Sequence, residues 1–199
     1  MSVEPIYLKG KYVHLRSLKP EDFGEAMVAF VNDREVTRHL VRGTFPGSTE
    51  EFKAEYARQA GNREEVQFAL VESKTGRYLG VAGLHRIDWI ARHAEFRILI
   101  GEKEAWGKGF GTEALQLLLA YGFEILNLNK VWLGVNLSNA RAHQSYKKAG
   151  FVSEGTLRQE VYRNGRYHDC ARMSLLRTEY QELKGKWEIA GLLQTQLPV

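Results

Sequence analysis

The chain has 199 residues, of which 44% are hydrophobic and 26% charged, and its formal net charge is +4. That length suits one well-packed α/β domain and is short for two, and the composition excludes a disordered polymer. No Lys/Arg run marks a nucleic-acid tract, so nucleic acid is an unlikely partner, and no apolar stretch approaches the length of about 18 residues that a membrane span needs.

From the N-terminus, Met1–Gly10 has no apolar core and no cleavage site, so no signal peptide is expected. Tyr7 to Leu18 reads as the first strand, with Val13 and Leu15 alternating with His14 and Arg16. Pro20-Glu21-Asp22 opens a helix carrying Phe23, Met27 and Phe30 at helical spacing. Gly43 to Ser48 breaks the chain, and Thr49 can cap a second helix that runs to about Ala60. Val66–Val71 and Tyr78–Ile87 are strand-like across the turn Lys74-Thr75-Gly76, and His93–Ile100 alternates two faces. The pattern then switches. Gly107, Gly109 and Gly111 form a loop before a strong helix pattern, Thr112 to Leu126, and Lys130–Val135 is a short apolar strand. Ser138 or Asn139 caps a helix that ends at Gly150. Phe151–Val161 and Tyr167–Leu176 pair as a hairpin across Asn164-Gly165. We therefore expect one domain over residues 1–177 and a weakly patterned tail over 178–199.

Two segments carry chemistry. Trp106-Gly107-Lys108-Gly109-Phe110-Gly111-Thr112 lies between a strand and a helix. Glycines permit close backbone approach to a ligand, and a helix N-terminus offers unpaired N–H groups with a positive dipole, which together suit a pyrophosphate. A tight structural connection would use the same residues. The loop has neither the Walker spacing nor the dinucleotide-binding fingerprint. In the second segment, Asn139 to Phe151, Tyr146 lies two helical turns beyond Asn139 on the same face. Each alone could be bland, Asn139 a cap and Tyr146 core packing. The lone Cys170 cannot form an internal disulfide, which fits a reducing compartment, cytoplasm by default, and no Cys/His cluster has zinc-ligand spacing.

Together the two segments resemble the GNAT acetyltransferases. The family loop Gln/Arg-x-x-Gly-x-Gly/Ala is matched by Trp106 to Gly111, and its Asn…Tyr-x-Lys-x-Gly-Phe pattern by Asn139, Tyr146, Lys148, Gly150 and Phe151. Leu8 to Leu18 and Tyr162 to Tyr167 are similar to the branch holding the ribosomal-protein N-terminal and spermidine acetyltransferases. One departure stands out: Trp106 replaces Gln or Arg, which removes a side-chain donor and leaves the backbone cradle. The resemblance implies an α/β (α+β) fold with a mixed, mainly antiparallel sheet, helices on both sides, and acetyl-CoA beside the Ala94–Ile100 strand. Ile98, Leu99 and Ile100 would offer backbone hydrogen bonds to the pantetheine and acetyl groups, residues 106–112 would cradle the pyrophosphate, and Asn139 would contact the pantetheine arm. No metal is implied.

In the transfer itself the amine attacks the thioester and sulfur leaves. A phenol with a pKa of about 10 carries a proton at neutral pH that Tyr146 could give the thiolate, whose conjugate thiol has a pKa of about 8.5. The ammonium, near pKa 10.4, must first lose a proton. Glu95, on the strand beside the acetyl group, is the candidate base, acting through water, with an ion pair to Arg92 or Arg97 as the structural alternative. His85 and His93 read as strand-end surface residues, and Trp89, Tyr162 and Tyr167 as acceptor-pocket or packing residues. The expected function is acetyl transfer to a primary amine, with a protein N-terminal α-amine favoured by the resemblance. The alternatives are a small-molecule amine (polyamine, amino sugar or aminoglycoside) and a non-catalytic CoA-binding module. A homodimer is compatible with this reading.

Overall fold

A computed structural model describes residues 6–59 and 61–187. The expected first strand is in fact two, β1 (Ile6–Lys9) and β2 (Val13–Ser17), folded into a hairpin at Gly10–Tyr12. The break has a distant cause. Glu113, in a helix a hundred residues away and 7% exposed, accepts hydrogen bonds from the backbone N–H groups of Lys11 (2.8 Å), Tyr12 (2.8 Å) and Val13 (2.7 Å). Side-chain capture of consecutive N–H groups takes them out of any ladder and fixes a turn.

β3 (Val66–Glu72), β4 (Tyr78–Asp88) and β5 (His93–Ile100) continue the sheet antiparallel. β6 (Lys130–Asn136) joins β5 in parallel, and the hairpin of β7 (Val152–Arg163) and β8 (Arg166–Leu176) completes the order β1-β2-β3-β4-β5-β6-β8-β7. The sheet is mixed and mainly antiparallel, as the resemblance implies. Asn164 (φ 51°) and Gly165 (φ 76°) both take positive φ, the conformation of a type I′ turn.

Helices cover both faces. α1 (Glu25–Asn32), α2 (Arg34–Thr37) and α3 (Thr49–Gln59) pack Met27, Phe30, Val36 and Phe52, together with Phe23 just before α1, against Val81 and Leu99. Residues 20–23 form a 3-10 turn, so the first α-helix begins later than Pro20 suggests. Ser48, not Thr49, caps α3, its Oγ accepting from Glu51 N at 3.2 Å. On the other face lies α4 (Phe110–Ala120), which runs on as a π-turn over Tyr121–Ile125, with Leu126 N bonded to Tyr121 O at 3.0 Å. Ala114, Leu115, Leu117, Leu118 and Phe123 there meet Ala82, Leu84 and Phe96.

α5 (Ala140–Lys148) follows β6, and α6 (Arg177–Leu183) follows β8. The opening of the expected tail is therefore helical. Tyr180 is buried, stacks on Phe123 at 4.8 Å and donates to Glu124 at 2.7 Å. The rest of that tail, residues 188–199, lies outside the described residues, as does Ala60, the expected end of the second helix. Among the described residues no helix is long and apolar enough to cross a membrane, and no group of three His, Cys, Asp or Glu side chains is placed to hold a metal.

The clamp on residues 11–13 can be weighed directly. Glu113→Ala leaves three buried or half-buried N–H groups without their acceptor and should destabilise the fold by on the order of 3 kcal/mol, read by urea denaturation. A loss below about 0.5 kcal/mol, the range of an ordinary surface change, would contradict this account.

Candidate active site

Parallel pairing between β5 and β6 is short. It covers His93, Ala94 and Glu95 opposite Lys130, Val131 and Trp132, and then stops. Beyond Glu95 and Trp132 the strands part, while β4 stays on the far side of β5 and β8 on the far side of β6. The gap opens into a cleft of about 550 Å³. Strand edges that lose their neighbour present backbone donors and acceptors to whatever enters. Ile98, Leu99 and Ile100 line this cleft, and the Ile100 carbonyl is engaged by the Trp106 indole N–H at 2.9 Å.

The glycine-rich loop forms the mouth. Gly107 (φ 77°) and Gly109 (φ 83°) take left-handed conformations, and a Cβ on either would meet open space. The absent side chains thus leave the backbone bare toward the cleft and permit the turn. Gly109 is the N-cap of α4 and has no side chain to cap it; the first helical bond of the turn runs from Glu113 N to Gly109 O at 3.0 Å. The N–H groups of Phe110, Gly111 and Thr112 belong to the helix turn that has no intrahelical acceptors. This is a cradle suited to an anion, and the residues present fit the CoA pyrophosphate. Gly107, Gly109, Phe110, Gly111 and Thr112 all line the cleft, whereas Lys108 is exposed outside its lining.

Trp106 explains the departure at its position. Its N–H is committed to Ile100 O, so it cannot serve as the lost side-chain donor, and the guanidinium groups of Arg38 (6.0 Å) and Arg141 (5.5 Å) both lie over its ring. Both arginines line the cleft, so cationic side chains stand where the usual Gln or Arg is missing. Asn139 also lines it while capping α5, its Oδ1 accepting from Ala142 N at 3.2 Å. Thr112 Oγ1 and Ser145 Oγ approach to 3.4 Å between α4 and α5.

Tyr146 stands on the cleft wall, its ring 6.2 Å from Phe96 and 6.0 Å from Phe151. Burial pushes its phenol up to about 12, because the charged phenolate cannot be solvated there. Glu95 is placed differently. It is not among the residues lining the cleft, and its carboxylate pairs with Arg97 at 2.7 Å and Arg86 at 3.6 Å. The ion-pair alternative is thus present, with Arg86 rather than Arg92 as second partner.

The remaining wall comes from α2 and the loop after it, through Glu35, Val36, Arg38, His39 and Leu40. Periodicity did not single out His39, and the cue available was only a histidine beside the arginines of this segment. Arg163 of β7 holds the loop by donating to the carbonyls of Leu40 (2.7 Å from Nε), Val41 (2.8 Å) and Arg42 (2.7 Å). Other expectations change. His85 is buried, 8% exposed, and bonded to Glu65 at 2.9 Å, not a surface residue. Trp89 donates to Arg63 O, and the rings of Tyr162 and Tyr167 meet at a tilt with centroids 4.9 Å apart, all outside the cleft lining.

The chain is similar to known proteins. The model of the acetyltransferase (GNAT) domain matches residues 13–152. A spermidine N(1)-acetyltransferase of Vibrio cholerae is 38% identical over 133 residues, 67% of this chain and 76% of that protein. A putative ribosomal N-acetyltransferase of Bacillus subtilis is 29% identical over 176 residues, 86% of this chain and 94% of its own. The crystal structure of the Vibrio cholerae spermidine N-acetyltransferase in complex with CoA and spermine superposes with a TM-score of 0.79 at 32% identity, covering 86% of this chain and 99% of the other. The family match spans most of the chain and includes the strand, the glycine cradle and Tyr146, and so the chain belongs to the GNAT acetyltransferase family.

Proposed function

We propose that the protein transfers the acetyl group of acetyl-CoA to a primary amine of a small molecule, a polyamine in the first instance. The observation that carries this reading is the splayed β5–β6 cleft, with a bare glycine cradle at its mouth and a protonated phenol on its wall, in a GNAT chain. Acetyl-CoA supplies the activated acyl group. The cradle of residues 107–112 holds its pyrophosphate, Arg38 and Arg141 add positive charge, and the edge at Ile98 and Leu99 pairs with the pantetheine and acetyl groups. Asn139 borders the pantetheine arm. A backbone N–H of that edge also stabilises the carbonyl oxygen as charge develops on it.

Tyr146 is the general acid. A tyrosine held near 12 keeps its proton at every working pH. The same apolar surroundings disfavour a bare thiolate, so the cost of leaving sulfur charged drives the proton onto it. From ammonium to amide the nitrogen gives up two protons, one before attack and one afterwards. Glu95 takes the first through water, from its position on β5 beside the cleft.

The names of the spermidine-acetylating relatives move the acceptor from a protein N-terminus to a polyamine. Local charge is compatible with that. Glu35 lines the cleft, and the Lys103 ammonium sits between Asp33 (2.8 Å) and Glu35 (2.9 Å), a place where this fold already holds a cationic amine. A cytoplasmic setting suits the lone free Cys170, and self-association suits a chain whose Vibrio cholerae relative has been solved as a dodecamer.

Four outcomes test the reading. Tyr146→Phe should lower kcat roughly 10²–10⁴-fold with the calorimetric Kd for CoA little changed, and an unaltered kcat would remove the acid role. With Tyr146 near 12, the pH–rate curve should show no fall on the basic side below about pH 10; a decline centred near pH 8 contradicts the buried phenol. Glu95→Gln should alter that curve, whereas a wild-type profile excludes the carboxylate. In a CoA-release screen, kcat/KM for spermidine should exceed that for N-terminal peptides by about a hundredfold, and the reverse order would return the acceptor to a protein α-amine.

A further inference from the structure

At the end of β6 begins a chain of three side chains that the acid and the carboxylate leave unused, and its last member, His39, lines the cleft. Asn136, at the end of β6, is 5% exposed. Its Oδ1 accepts from Ser138 N at 2.9 Å and from Ser138 Oγ at 2.8 Å. The backbone N–H can only donate, which fixes the amide orientation. Ser138 Oγ has a single proton and gives it to Asn136. Toward its other neighbour, His39 Nδ1 at 3.2 Å, it can then only accept. The imidazole must therefore carry its proton on Nδ1, and Nε2 is left with a lone pair. His39 lines the cleft, and among the described residues its Nε2 makes no hydrogen bond.

From this order of donors we infer that His39 Nε2 takes the second proton of the acceptor nitrogen, with Ser138 and Asn136 as the residues that position it. The inference rests on the acetyl-transfer reading of the same cleft. The step balances. The amine nitrogen forms its bond to the acetyl carbon, and the carbon–sulfur bond breaks. Nε2 takes the N–H proton as Tyr146 gives one to sulfur. The imidazolium later returns its proton to solvent, and Tyr146 recovers one.

The surroundings keep the ring ready. Burial disfavours the imidazolium, and Arg38 on the same segment, His168 on β8 and Arg141 on α5 oppose a further positive charge, so His39 titrates below its ordinary 6.5. Glu35, the carboxylate on the same wall, is bound to Lys103. A base must be neutral to work, so activity is present above the lowered pKa and is lost as pH falls through it.

The test is His39→Gln with spermidine as acceptor, together with nitrogen NMR of the labelled wild-type imidazoles, in which the variant identifies the His39 signals. We expect kcat to fall about 10²-fold, the acid limb to lose the component that His39 contributes below pH 6.5 while keeping that of Glu95, the calorimetric Kd for CoA to stay within twofold, and the wild-type ring to show Nδ1–H. Ser138→Ala should lower kcat by a smaller factor and release the ring to the other tautomer. An Nε2–H tautomer in the wild type, a kcat for His39→Gln within twofold, or an unchanged acid limb would each overturn the inference. The NMR result stands whatever the turnover, so no acetylation of spermidine by the wild type would count against the polyamine reading and not against the tautomer.

Discussion

The structure turns on the point where two parallel strands stop pairing. Three residue pairs hold β5 to β6, ending at Glu95 and Trp132, and the cleft opens beyond that point. A central strand edge without a neighbour would be a liability in a sheet of this size. Here it is tolerated because the strands remain fully paired on their outer sides, with β4 and with β8, and because the cleft between them is bordered by α4 and α5. An unsatisfied edge becomes a recognition surface whose unused groups match a ligand with its own amides.

The cleft joins two kinds of wall. Along the cradle and α5, the groups suit an anionic, extended cofactor: helix N–H groups, left-handed glycines, and Arg141 held over Trp106. Along α2 and the loop after it, the wall is fixed by contacts distant in sequence, chiefly Arg163 gripping the carbonyls of residues 40–42. The hairpin that carries Arg163 therefore helps shape the acceptor side without lining it. Trp106 borders both sides: its indole holds Ile100 O, and its ring meets Arg38 from the segment after α2 and Arg141 from α5.

Much of this was legible in the chain because it is local. The β5 boundaries, the glycine loop, the Asn139 cap and the Asn164-Gly165 turn follow from alternation, φ requirements and capping chemistry over a few residues. What was not legible depends on partners far apart in sequence. The break between β1 and β2 is imposed by Glu113, the burial of His85 by Glu65, and the tautomer of His39 by Ser138 and Asn136. No periodicity announces such pairs. The insertion of β8 between β6 and β7 is of the same kind, since a hairpin signal pairs two strands but does not say which of them meets the sheet. The place of Glu95 on β5 was legible in the alternation, yet its pairing with Arg86 needed the bulge near the end of β4 that brings that arginine beside it.

The central claim is that the parted strands form the acetyl-CoA site. Backbone amide chemical shifts recorded on the free protein and on addition of CoA test it residue by residue. The account predicts that the largest changes cluster at Ile98–Ile100, Gly107–Thr112 and Asn139–Ser145, at one CoA per chain. Changes confined to other surfaces, or none at millimolar CoA, would contradict it.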